Sequence, residues 1–264
     1  MTNTPTTLAA EIGATRNSLV TRSAVPAGLR YPEYKPYLRH DFFHSCAYCT
    51  ISESEATAIR FTIDHYEPKT SRRDLANEYT NLMYACDTCN QLKGNRCPPP
   101  NARAAGLRFF RPDNDLYEDH FQLSGIRLNS KTKVGEFSIE AIDLNRQALR
   151  RLRDLRRRLT NCDEHVAAGI LALRSFHMDQ LPQPVKGSAA RTVSQAIAVG
   201  ERMADEIDAL LRDHARSTLI DPDPESEKRA AERSRKMDAW KALHPGNWRA
   251  PRKPAQGRNS KKKR

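Results

Sequence analysis

Two Cys-x-x-Cys pairs, Cys46/Cys49 and Cys86/Cys89, limit what this chain can fold into more than any other feature. Four thiolates in two close pairs complete a closed tetrahedral zinc shell, so two separate segments must meet at one point. In a reducing compartment this spacing favours zinc over disulfide chemistry, and redox use of either pair is the competing reading. Cys97 and Cys162 are left over and read as ordinary thiols, although Cys97 lies close enough in sequence to compete for the metal.

The pairs bracket Ile63-Asp64-His65-Tyr66-Glu67-Pro68, and the second pair runs directly into Asn90-Gln91-Leu92-Lys93-Gly94-Asn95. From Arg60 to Tyr66 the alternation puts Phe61 and Ile63 on one face and Thr62 and Asp64 on the other, which predicts a short strand that Pro68 ends. Asn81-Leu82-Met83-Tyr84-Ala85 is a second, apolar run leading into Cys86, and a helix from Asp87 carries Asn90 and Lys93 until Gly94 stops it. An Asp, a His and an Asn beside a zinc staple supply a hard-metal site and a base, which is what phosphodiester hydrolysis requires.

The bulk composition agrees. With 264 residues, 38% hydrophobic and 29% charged, the chain has limited material for a core, which points to a small site domain plus a helical part. A net charge of +12 and a pI near 9.6 indicate a polyanionic partner, because phosphate contacts release condensed counterions; the plainer alternative is a well-solvated basic surface. Met1-Thr2-Asn3-Thr4-Pro5 opens no secretory signal, and no apolar run approaches about 18 residues, so a cytoplasmic protein without membrane contact is expected.

Along the chain, residues 1–29 form a polar segment with no assigned chemistry, and residues 30–100 form the zinc-containing site domain, closed by Pro98-Pro99-Pro100. Tyr31-Pro32-Glu33-Tyr34-Lys35-Pro36-Tyr37 reads as an extended segment packing its edge, its tyrosines able to pack or to stack on bases. Residues 101–142 read as a loop and strand extension, anchored by Phe109-Phe110 and Tyr117 to Phe121, with Gly125 and Gly135 as turn signals and His120 as a packed histidine or a ligand. Residues 143–217 form a helical region, which begins with an amphipathic basic helix from Leu144 to about Leu159 and continues from about Cys162 to Met178 and about Ser188 to Arg216. Arg150, Arg151 and Arg153 on the first of these can follow a phosphate backbone or form a solvated face. Residues 218–264, which include Asp221-Pro222-Asp223-Pro224, form a basic tail expected to be disordered, ending in Lys261-Lys262-Lys263-Arg264, a nucleic-acid tether or a solubilising end.

Taken together, Cys46-x-x-Cys49, Asp64-His65, Asn81-Leu82, Cys86-x-x-Cys89-Asn90 and Lys93 resemble the HNH endonucleases, a ββα-metal family, over about residues 43–97. The resemblance implies an α+β protein: a small zinc-stapled ββα-metal nuclease domain, then a mainly helical extension and the basic tail. It implies His65 as general base, which a neutral imidazole can be near neutral pH. It implies Asp64 and Asn90 as ligands of a catalytic Mg2+ or Mn2+, through a carboxylate and an amide oxygen. Asn81 would hold the base-bearing loop, the four cysteines a structural Zn2+, and Lys93 a substrate phosphate. Adjacent strand residues point to opposite faces, which is a difficulty for Asp64 and His65 acting on one phosphate.

Phe109-Phe110-Arg111-Pro112-Asp113, His120-Phe121 and Asp143-Leu144-Asn145-Arg146 are similar to stand-alone bacterial HNH proteins linked to phage defence, including those of Septu and retron systems. That implies an ATPase protein partner. Cutting both DNA strands from a single site of this kind implies a homodimer or two successive events. The leading reading is a metal-dependent endonuclease acting on DNA; the alternatives are a zinc-ribbon nucleic-acid-binding module without cleavage and a nuclease acting on RNA.

Overall fold

A computed structural model describes residues 20–56, 59–174, 183–216 and 223–251. The expectations for residues 1–19, the Asp221-Pro222 linker, the Lys261–Arg264 run and the Cys162 side chain lie outside what it describes. The protein is α+β, and its contacts divide it into two units: Met1–Asn145 with Pro224–Arg264, and Arg146–Asp223.

The first unit is built on an antiparallel pair, β1 (Phe61–His65) and β2 (Leu82–Cys86), in the register Phe61↔Cys86, Ile63↔Tyr84 and His65↔Leu82. The diagonal pair Phe61 and Tyr84 stack with centroids 5.2 Å apart. Every residue of β2 is buried, as a strand covered on both faces should be. One cover is helix α1 (Lys35–Asp41), entered through the Tyr31–Tyr34 3-10 turn, with Leu38 fully buried. Arg22 locks the chain before α1 onto the strand: its guanidinium donates to the Leu82 carbonyl at 2.8 Å, pairs with Asp113 at 2.9 Å and lies over the rings of Phe42 and Tyr79. The end of the supposedly inert N-terminal segment is therefore part of the core.

Helix α2 (Asp87–Lys93) follows β2 without a loop. Gly94 ends it at φ +54° and ψ −137°, a conformation closed to residues with a Cβ, so the stop read from the sequence has a backbone cause. After α3 (Pro100–Ala104) and α4 (Tyr117–His120) comes a hairpin, β3 (Phe121–Ser124) and β4 (Arg127–Ser130), and then helix α5 (Lys133–Ile142). The sequence reading treated Gly135 as a turn signal. It lies instead inside α5, where an added Cβ would stand 2.1 Å from the His120 carbonyl oxygen, so glycine there permits close packing. Nδ1 of His120 lies 2.6 Å from Thr132 Oγ1 and its ring packs on Phe110, as a packed histidine does.

The second unit is helical: α6 (Gln147–Arg174, 28 residues) and α7 (Gln183–Arg216, 34 residues). The two helices expected from Leu144 and from Cys162 are one. Leu149, Leu152 and Leu155 are buried along α6 at helical spacing.

The chain then returns to the first unit, and over residues 223–251 the expectation of a disordered tail gives way to ordered structure, the rest of that tail lying outside the described residues. Helix α8 (Ser226–Leu243) packs on α5, and the segment after it runs beside the segment that follows α2. Cys97 N–H donates to the Trp248 carbonyl at 3.0 Å and Ala250 N–H to the Asn95 carbonyl at 2.9 Å. Trp240 and Trp248, the only tryptophans of the chain, are buried against Phe137 at 5.8 and 6.2 Å between centroids. Charge sets the register: Asp143 receives Arg229 and Arg233, and Glu140 receives Lys236 at 2.6 Å. The stretch buries its apolar residues against α5, which supplies the facing half of a core. The two units divide after Asn145 and after Asp223, close to the boundaries expected near residues 142 and 217, while the stretch around residue 100 lies inside the first unit.

Candidate active site

The cysteines meet as the sequence requires. Cys46 and Cys49 lie on a tight turn in which Thr50 N–H returns to the Cys46 carbonyl at 2.9 Å and Cys46 N–H bonds the Ile51 carbonyl at 2.8 Å. Cys86 is the N-cap of α2, its sulfur accepting from Cys89 N–H at 3.5 Å. All four Sγ atoms lie within 4.8 Å of one another and all four residues are buried. Cys49 and Cys86 Sγ are 3.7 Å apart, which matches the edge of about 3.8 Å expected of a tetrahedron with zinc–sulfur bonds of about 2.3 Å. Burial drives the Cys46 thiol well above its ordinary range, so the buried cluster ionises only with a cation to compensate it. The donor set fits zinc. Cys97 is not part of it: its thiol faces Glu67 Oε2 at 3.4 Å.

His65 ends β1 and is nearly buried. Its Nε2 lies 2.9 Å from the Ala76 carbonyl oxygen. A carbonyl only accepts, so Nε2 carries the proton and the neutral ring keeps its lone pair on Nδ1. Burial lowers the pKa of His65 below its ordinary 6.5; the Ala76 contact opposes this and the Lys69 charge reinforces it. The ring is thus held neutral and in one tautomer. Tyr31 packs against it edge-on with centroids 4.9 Å apart, and Lys69 Nζ stands 5.0 Å from the Tyr31 ring.

Asn81 fixes the loop that supplies Ala76. Its Oδ1 accepts from Glu67 N–H at 2.8 Å, while its Nδ2 donates to the carbonyls of Glu67 and Leu75, both at 3.1 Å. One amide therefore ties both ends of the loop between His65 and Ala76 to the start of β2. A second tie comes from Tyr31, whose N–H donates to Asn77 Oδ1 at 2.9 Å.

Asp64 and Lys93 depart from expectation. Lys93 is not displayed to a phosphate: it is fully buried, its Nζ 2.9 Å from Asp64 Oδ2 and 2.7 Å from the His65 carbonyl, over the ring of Phe109. Asp64 is buried too, and the Tyr48 hydroxyl donates to its Oδ2 at 2.5 Å. A hydrated Mg2+ keeps several waters and needs an accessible oxygen, so a carboxylate saturated by a lysine and a tyrosine does not fit that ion. What the pair does is join α2 to β1 beneath His65, linking helix, strand and the Cys46–Cys49 turn through Tyr48. The opposite facing of strand neighbours explains it: His65 turns to its loop and Asp64 to the core.

Asn90, half-exposed on α2, donates from Nδ2 to Thr62 Oγ1 at 2.9 Å, and its amide oxygen makes no hydrogen bond among the described residues. His65, Asn81, Asp64, Asn90 and Lys93 thus share one ββα unit, but Asp64 and Asn90 do not converge on a common partner. The arginines of α6 lie in the other unit. Arg150 is buried with Asp223 at 3.5 Å and is no free phosphate contact; Arg151 and Arg153 are half-buried. Sequence reasoning missed Ala76, because a backbone acceptor leaves no trace in residue type, and Tyr48, which lay inside the first Cys-x-x-Cys and passed for a spacer.

Residues 46–96 match the model of the HNH endonuclease family. The chain is 29% identical over 143 residues to the Septu protein PtuA of Bacillus mycoides (strain KBAB4), a match that takes in 44% of this chain. The chain spans about a fifth of that relative's length, 20%. No solved structure matches.

Proposed function

We propose that the ββα unit is a nuclease site that hydrolyses phosphodiester bonds of DNA, with His65 as the general base. The observation that carries this reading is the His65–Ala76 contact inside a loop clamped by Asn81, next to a buried four-cysteine cluster in the stretch that matches the HNH endonucleases. A base must be unprotonated, pointed and immobile before substrate arrives. Nδ1 takes the proton of a water whose oxygen bonds to phosphorus as the P–O ester bond breaks. Zn2+ is assigned to the cysteines as a structural ion, and they take no part in the bond cleavage.

The resemblance also implies a divalent ion at the phosphate. Of the two expected ligands only the Asn90 amide oxygen is unbonded, so no step is derived through that ion. The sequestration of Asp64 by Lys93 favours a second reading, a zinc-stapled module that binds nucleic acid without cutting it. The net charge of +12 supports a polyanionic partner under both readings, and RNA is the alternative polymer. From the likeness to the Septu protein we extend the first reading to anti-phage defence with an ATPase partner, and to homodimerisation if both strands are cut. No helix among the described residues is long and apolar enough to cross a membrane, and we place the activity in the cytoplasm.

The deciding test is cleavage of supercoiled plasmid by zinc-loaded protein with and without Mg2+, for the natural chain and His65→Ala. Mg2+-dependent cutting that falls by at least about 100-fold in the variant supports the nuclease, since general-base catalysis contributes about 10²–10⁴-fold. Undiminished cutting by His65→Ala removes the assigned base. Retained DNA binding with no cutting by either protein replaces the nuclease with the binding module.

A further inference from the structure

Two arginines face each other where the C-terminal segment meets the end of the nuclease motif. Arg96, the last residue of the matched stretch, and Arg249 are partners in an antiparallel bridge. Like charges directly opposite one another destabilise a strand pair. The arginines nearby on α8 are balanced, Arg229 and Arg233 by Asp143. No carboxylate lies within ion-pair range of Arg96 or Arg249 among the described residues.

What the two do make is polar and neutral. Arg96 Nη1 donates to the carbonyls of Leu92 and Lys93 at the end of α2, which leaves its Nε and Nη2 without a partner, and Arg249 Nη1 reaches Asn95 Oδ1 at 3.4 Å from an exposed position. The bridge is held by backbone bonds on both sides, Cys97 to Trp248 and Ala250 to Asn95, which keep the two residues paired. Burial first, and then the neighbouring charges of Arg249 and Arg233, lower the pKa of Arg96 to about 10. The local field favours an anion.

We propose that Arg96 and Arg249 form a phosphate-binding pair that receives the nucleic-acid backbone beside the ββα site. The chemistry suits a phosphodiester: two planar guanidinium forks, one anchored on a helix end and one exposed, present several N–H groups to non-bridging oxygens. This rests on the nuclease reading for the identity of the polymer but not on cleavage itself.

The test is binding of the full, zinc-loaded chain to a fluorescein-labelled DNA duplex in Ca2+ without Mg2+, across 50–200 mM salt, for the natural protein, His65→Ala, Arg249→Ala and Arg249→Glu. Arg249→Glu places a carboxylate opposite Arg96, so it should raise Tm while it weakens binding by about tenfold at 50 mM salt. Removing one phosphate contact lowers the salt slope by about 0.9, so the deficit should shrink about threefold between 50 and 200 mM. Arg249→Ala should show the same change in slope with a smaller loss of affinity. A stabilised Arg249→Glu protein that binds with unchanged affinity and slope overturns the proposal, because the pair is then a structural repulsion with no ligand. His65→Ala should bind like the natural chain, so a failure to cleave is read separately from a failure to bind.

Discussion

At the scale of residues, the proposed nuclease reading rests on one imidazole kept neutral and aimed. A His whose folded pKa is below its unfolded value of about 6.5 is deprotonated through the neutral range, so the activity assigned to His65 should rise with pH along an acid limb centred below 6.5 and then level off. Lys69 contributes to that depression, and Lys69→Ala should move the limb upward with little change in the plateau. The pH dependence of kcat/KM for plasmid nicking measures this; a limb that stays put or moves down removes Lys69 from the account. The meeting of the four cysteines was legible from their spacing, and His65, Asn81 and Asn90 were picked out as candidates by residue type at a family spacing. The burial of Asp64 against Lys93 was not legible, because a lysine near a helix end reads as exposed until Asp64, the His65 carbonyl and Phe109 are seen around it.

At the scale of elements, the cysteine cluster is not all that ties the turn carrying Cys46 and Cys49 to the sheet. Glu53 accepts both forks of Arg39 from α1 and the Tyr84 hydroxyl of β2 at 2.5 Å. These contacts, Arg39 first, hold its carboxyl down to about 2. A depressed carboxyl contributes stability that is complete above its unfolded value of about 4.5 and is lost as pH falls through about 2. Glu53→Gln should therefore lower Tm by about 2–4 °C at pH 7, and the difference should fade between pH 4.5 and 2. A differential scanning pH series with a constant offset would contradict this linkage. The ββα order was readable from alternation, Pro68 and Gly94. Helix α5 was readable too, since Val134, Phe137, Ser138, Ala141 and Ile142 are buried at helical spacing, but Gly135 near its start weighed toward a turn. The intrinsic signal lost to the close approach that glycine permits there.

At the scale of the molecule, the nuclease motif is not a portable N-terminal module. Phe109, Phe137, Trp240 and Trp248 form one aromatic run from the zinc turn to the C-terminal segment. Trp248→Ala should cost about 3–5 kcal/mol in urea unfolding and reduce nicking in proportion to the folded fraction. A change under about 1 kcal/mol would show that the C-terminal segment rests on the surface. This closure was the least legible feature, because charged, proline-rich composition reports whether a stretch folds by itself and is silent on whether another stretch completes it. The bond between Arg249 and Asn95 joins positions 154 residues apart. A ribosome adding about 5–20 residues per second emits the second of them roughly 8–30 s after the first. During that interval the motif exists without the segment that pairs with it, so Asn95 and Cys97 gain their backbone partners only after Trp248 and Ala250 have been made.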